Sequence, residues 1–207
     1  MVALLIVTLG VALFVAVHVV PMVPGWRAAL VGRLGEGGYK AGFALLSLLG
    51  LIGAIVAYRL TAHVPLWPSP PPLRIVTAVL MLAAVLLFAG AQGVPWFKRI
   101  VRHPMLWGIG LLGLAHLLVN GEVAGVILFG GLAVFGFAWQ GLTDRRDAEL
   151  DPAGFAETRR TTSVWPFAKW SARSDPVTLR PLVIGAIVYI ALILLHPWLF
   201  GAPVILG

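Results

Sequence analysis

Six stretches of the chain, about 2–21, 40–59, 74–92, 104–120, 122–141 and 178–200, are almost wholly apolar, and most are close to twenty residues long. A bilayer core of about 30 Å is crossed by roughly 20 residues of helix. Lipid cannot hydrogen-bond a backbone, so such runs must pair their own N–H and C=O groups. The reading is an all-α, polytopic transmembrane helical bundle of about six spans. Composition agrees: 60% of the residues are hydrophobic and 11% charged, against about 25% charged in a soluble domain. The first run has no basic residues ahead of it and no small-residue cleavage pattern, so it reads as an uncleaved span. Residues 1–207 read as a single membrane domain.

The basic residues orient the spans. Of fifteen Lys and Arg, thirteen fall in the loops after the first, third and fifth spans. These are Arg27, Arg33 and Lys40, then Lys98, Arg99 and Arg102, then Arg145, Arg146, Arg159, Arg160, Lys169, Arg173 and Arg180. Basic loops stay cytoplasmic. Both termini are therefore expected on the outer side of the membrane. The net charge of +7 is explained by this bias and needs no nucleic acid. Residues 142–177, the one sizeable polar segment, are expected to form a cytoplasmic loop. Its aromatics, Phe155, Trp165, Phe167 and Trp170, predict that it lies on the membrane or folds back over the bundle. Glycines recur in the spans and suit close helix approach, or room for a flat ligand.

The chemistry rests on histidine. There is no cysteine, which excludes disulfides, thiolate haem ligation and iron–sulfur clusters. An imidazole within lipid needs a partner: a hydrogen bond, a substrate or a metal. His63 and His196 sit near the outer surface and read as structural. His18 ends the first span. His103 and His116 stand at the edge of and inside the fourth span, 13 residues apart, which is about 20 Å of helix rise. They cannot both ligate one metal from a straight helix. Depth favours His103 as the partner of His18, and burial favours His116. Two histidines from different helices can hold haem iron. Arg102, Arg99 and Arg27 could pair with its propionates, or act as snorkelling anchors.

Several motifs together resemble the NnrU family of bacterial inner-membrane proteins. They are His18 followed by Pro21 and a basic stretch, Leu34-Gly35-Glu36-Gly37-Gly38-Tyr39-Lys40, and Arg102-His103-Pro104. Later come Ala115-His116-Leu117-Leu118-Val119-Asn120-Gly121-Glu122 and Thr161-Thr162-Ser163-Val164-Trp165-Pro166-Phe167. The likeness is clearest over 15–170. That family is similar to the plant 15-cis-zeta-carotene isomerase, a haem b enzyme with two histidine ligands. The resemblance implies a link to denitrification and haem b held by His18 and His116 as metal ligands. It also implies redox-linked or isomerase-like chemistry on a lipophilic substrate. His103 and Arg102 stand as further cofactor-binding candidates.

The Arg102-His103-Pro104-x-x-x-Gly108 pattern also looks like that of isoprenylcysteine-type membrane methyltransferases. The paired glutamates that usually follow are replaced here by Asp144-Arg145-Arg146-Asp147 and a single Glu149. A third reading is a non-catalytic membrane assembly factor, with the histidines as interhelical hydrogen-bonders.

Overall fold

A computed structural model describes residues 1–23, 25–172, 174–201 and 204; Arg173, one of the basic loop residues, lies outside them. Among the described residues the fold is helical throughout, with no β-strand. Helix α1 spans Val2–Val19 and runs into a short 3-10 turn, Val20–Met22. Helix α2 spans Trp26–Tyr58, α3 Pro72–Gly90, the short α4 Phe97–Ile100 and α5 Pro104–Val119. Helix α6 covers Val123–Leu150 and contains one π-helical stretch, Val126–Gly130. Helix α7 spans Pro152–Thr161 and α8 Arg180–Phe200.

Five of these, α1, α2, α3, α6 and α8, are long and apolar enough to cross a membrane. The fourth expected span, α5, has only 16 residues, about 24 Å of rise. Proline at its first turn and the Asn120-Gly121 sequence at its end set its limits. Prolines also open α3, α7 and α8, where a missing N–H costs nothing.

Two expected loops are in fact largely helix. The stretch carrying Arg27, Arg33 and Lys40 belongs to α2, which begins at Trp26 rather than near residue 40. Gly35 breaks it with φ 71° and ψ 164°, a backbone shape only glycine adopts readily. Apolar runs mark the lipid-facing part of a helix and not its polar prefix, so the sequence pattern began the helix late. For the same reason α6 continues past residue 141 to Leu150, carrying Asp144, Arg145, Arg146 and Asp147 on helix. Residues 142–177 are thus partly helical.

The long helices form a row: α2 packs on α1, α1 on α6, α6 on α5, α5 on α3, and α3 on α8. Between α1, α2 and α6 lies a core of Val7, Phe14, Ala54, Ala57, Leu128, Leu132 and Phe135. A second cluster, Leu87, Trp96, Phe97 and Val101, ties α3 to α4. Glycines close the crossings. A Cβ on Gly10 would stand 2.5 Å from the Gly50 carbonyl oxygen. One on Gly136 would stand 2.2 Å from the Gly110 nitrogen. Without a hydrophobic drive between helices in lipid, such contact supplies van der Waals packing. At these crossings, packing is what the glycines provide.

Gly136→Ala is therefore expected to destabilise the protein by about 1–3 kcal/mol, because the backbone of α5 must move. Gly53→Ala, with open space around it, should leave stability unchanged or slightly raised. Thermal unfolding of both variants in mild detergent checks this.

Candidate functional site

The polar residues of the apolar spans gather at three places. The first is the end of the bundle marked by Arg102. Arg102 is 8% exposed. Its Nε donates to Thr162 Oγ1 at 3.0 Å and its Nη2 to the Thr162 carbonyl at 3.1 Å. Its Nη1 donates to the Asp144 carboxylate, and its backbone N–H donates to the Ser163 carbonyl at 2.7 Å. Trp107 Nε1 donates to the Val164 carbonyl at 2.8 Å, and the Phe167 N–H to the Ile100 carbonyl at 2.7 Å. The segment after α7 thus folds back onto the start of α5. Two stretches singled out in the sequence, Arg102-His103-Pro104 and Thr161–Phe167, meet there and explain each other. The guanidinium that was a propionate candidate is engaged on three sides by this chain.

His103 belongs to the same cluster. Its Nε2 lies 2.7 Å from Asp144 Oδ1. A carboxylate only accepts, so Nε2 carries the hydrogen. Burial pushes this imidazole below its ordinary value, and Arg102 adds to the lowering, against the opposing pull of the Asp144 carboxylate. Lacking full charge at neutral pH, it can join the buried cluster without a second cation beside Arg102.

The second place is the opposite end. Glu122 is 3% exposed, and Tyr58 Oη donates to its carboxylate. Tyr58 Oη also lies 3.2 Å from Asn120 Oδ1, and Asn120 Nδ2 donates to the His116 carbonyl at 2.8 Å. The proline-rich loop docks here through N–H groups of Leu66 and Trp67 on the Gly121 carbonyl. Trp67 packs so closely on Gly121 that a Cβ there would meet its ring at 2.6 Å. The Asn120-Gly121-Glu122 stretch is a junction between α2, α5 and that loop.

The third place holds the histidines. His18 Nδ1 donates to the Phe14 carbonyl at 2.7 Å. Its ring is enclosed by Phe14, Phe43 and Phe135, with centroids 4.3, 4.9 and 5.0 Å away. His116 Nδ1 donates to the Leu112 carbonyl at 3.0 Å, and its ring stacks on Phe129 at 4.8 Å. Both rings are thus oriented through Nδ1 by the preceding helical turn, which leaves Nε2 with a lone pair in the neutral ring. That is how an imidazole is commonly fixed for a metal.

The two rings nevertheless keep separate company. Phe135 and Phe129, against which they pack, are six residues apart on α6, about 9 Å of rise. Among the described residues no three His, Cys, Asp or Glu side chains are placed to hold a metal ion. The histidine that does face His116 is His196 on α8, with ring centroids 6.5 Å apart and planes 27° from parallel. It was read from sequence as structural. The signal that could have found it is helical spacing: Tyr189, Leu192, Ile193 and His196 form one face of α8, and all four line a cavity of about 270 Å³ with His116. Arg74, Thr77 and Met81 of α3 and Val119 and Asn120 at the end of α5 complete most of its wall.

A multi-span helical protein with paired histidines over a cavity between its helices is the class the structure defines. The family model for the NnrU protein matches residues 6–204, and the chain belongs to the NnrU family. Neither the curated proteins nor the solved structures give a match.

Two outcomes follow from the Arg102 cluster. Arg102→Met leaves the Asp144 carboxylate without its cation, and a loss of about 2–4 kcal/mol is expected in thermal or denaturant unfolding. The second concerns pH. The unfolded chain protonates His103 near pH 6.5, whereas the folded protein does so only at lower pH. Stability should fall as pH drops from about 7 toward 5, and His103→Gln should flatten that part of a melting-temperature profile.

Proposed function

We propose that this NnrU-family chain is a six-crossing protein of the bacterial inner membrane that binds a lipophilic small molecule in the His116 cavity. The observation that carries the binding reading is His116 itself. Its ring is fixed through Nδ1 by the Leu112 carbonyl, and the remainder faces an otherwise largely apolar cavity with His196 across it. Ligand sites of small molecules have this composition, an apolar wall with a few placed polar groups. Redox-linked or isomerase-like chemistry on the bound molecule is the activity the resemblance suggests for such a site.

The topology rests on charge. The Arg102 end carries the basic residues and is assigned to the cytoplasm, and both termini are assigned to the outer side. Helix α5 is the sixth crossing. Its 16 residues are packed between α3 and α6, and polar junctions extend it at both ends. Because the chain has no cysteine, single substitutions report sidedness cleanly. Ser69→Cys should react with an impermeant maleimide in intact cells, and Ser174→Cys only after lysis. The reverse pattern overturns the orientation.

Haem b is the second reading, favoured by the Nδ1-anchored rings of His18 and His116. It asks for His18 and His116 to present Nε2 to one iron, and the facing pair His116 and His196 is the other arrangement to test. A methyltransferase site at Arg102 is less well supported, since that guanidinium is committed to Asp144 and Thr162.

Organic extraction of the purified protein followed by mass spectrometry tests the main reading. A lipophilic molecule should be enriched in the wild type and depleted in Leu192→Trp, which fills the cavity. Equal extracts would remove the cavity as the binding site. Absorption spectra after expression with excess haem test the second reading. A Soret band altered by both His18→Ala and His116→Ala supports shared ligation, and no band removes haem.

A further inference from the structure

Three hydrogen bonds around the His116 cavity are polarised the same way. Besides His196 of α8, three polar side chains from three different helices line it within the spans: Thr77 of α3, His116 of α5 and Tyr189 of α8. Thr77 Oγ1 donates to the Ala115 carbonyl at 2.9 Å. Tyr189 Oη donates to the Ala78 carbonyl at 2.7 Å. His116 Nδ1 donates to the Leu112 carbonyl at 3.0 Å. A main-chain carbonyl only accepts, so each of these groups has committed its one hydrogen. What each has left to offer is a lone pair. Asn120, at the end of α5, gives one amide hydrogen to the His116 carbonyl and keeps its second, so it is a donor at that end of the wall.

Side-chain donors gather toward one end. Arg74 and Ser69 lie there. Arg74 stands seven residues before Met81 on α3, so the cavity extends about 10 Å inward from it. The remaining wall is His196 and aliphatic side chains, among them Met81, Val119, Leu192 and Ile193.

We infer that this cavity takes a neutral, lipophilic molecule whose buried polar group is a hydrogen-bond donor: a phenol, a hydroquinone or an alcohol. This rests on the reading of the cavity as the binding site and names the chemistry it selects. A buried donor gains a partner from any of the three helices. A ketone or carboxylate pushed to the same depth meets lone pairs and leaves its own acceptor unpaired, which is the stronger form of discrimination. A metal cation would also seek lone pairs. Hydroxyls that keep their hydrogens are, however, poor metal ligands.

The test uses the full-length protein in mild detergent and three probes of nearly one shape: 2-naphthol, 2-methoxynaphthalene and 2-naphthoate. Binding is measured by equilibrium dialysis with fluorescence detection. The methyl ether is the more apolar probe, so partition into detergent works against the expected order. The wild type should bind 2-naphthol about tenfold more tightly than its methyl ether, the difference one buried hydrogen bond can supply. His116→Phe keeps a ring stacked on Phe129 and should shrink that gap to about twofold or less. Tyr189→Phe, a smaller change that serves if His116→Phe does not fold, should narrow it in part. Equal binding of naphthol and ether by the wild type overturns the donor rule while leaving the cavity reading intact. Tightest binding of naphthoate overturns it in favour of an anion site set by Arg74. Binding of none of the three removes the cavity reading itself, and this inference with it.

Discussion

The constraint on which this structure depends is that lipid supplies no hydrogen bonds. A polar group drawn into the bundle has to look for its partner in the chain, and most find one; among the described residues Ser47 Oγ and Gln140 Oε1 are buried without one. Histidines and hydroxyls within the spans turn back to main-chain carbonyls, most of them one turn away. Thr8, His18, His116 and Thr143 all do so. Groups that cannot be satisfied locally are moved to the two ends of the bundle, where segments distant in sequence close over them. Arg102, Asp144 and Thr162 are brought together across 60 residues, and Tyr58 and Glu122 across 64. Unpaired partners at these depths would cost several kcal/mol each. The two junctions therefore fix the ends of α5, a helix too short to declare itself a span by length alone.

Between the junctions the packing is set by glycine. The α1–α2 crossing at Gly10 and Gly50 and the α5–α6 crossing at Gly110 and Gly136 bring backbones into contact. Near its start α6 takes a π-helical turn, Val126–Gly130. That turn contains Phe129, which stacks on His116 and also meets the Tyr58 ring. One phenylalanine thus touches both the polar junction and the cavity histidine. Irregular turns of this kind are frequent at functional sites.

Much of this was legible in sequence. The apolar runs at 74–92, 104–120 and 178–200 correspond closely to α3, α5 and α8, because proline and glycine punctuate them. The start of α2 and the end of α6 were not legible, because their polar turns lack the apolar period that reveals a buried face. The importance of Arg102-His103-Pro104 and Thr161–Phe167 could be seen, but not that they touch. Contacts across 60 residues leave no local trace in a single chain. For the histidines, composition and depth pointed to His18, His103 and His116. They could not show that His103 faces Asp144 or that His116 faces His196, since both pairings depend on which helices are neighbours. The order of the row, with α3 joining α5 to α8, is what puts His196 beside His116.

That row has one further consequence. Helix α8 packs on α3 at the end of the row, and it forms one wall of the His116 cavity. A molecule arriving past α8 comes from the hydrocarbon itself and never passes through water. The concentration that governs occupancy is then the mole fraction dissolved in the bilayer. Diluting the membrane with additional lipid would empty the cavity as effectively as removing the molecule, at constant total amount in the sample. On the proposed reading, occupancy is set by the membrane as a solvent phase.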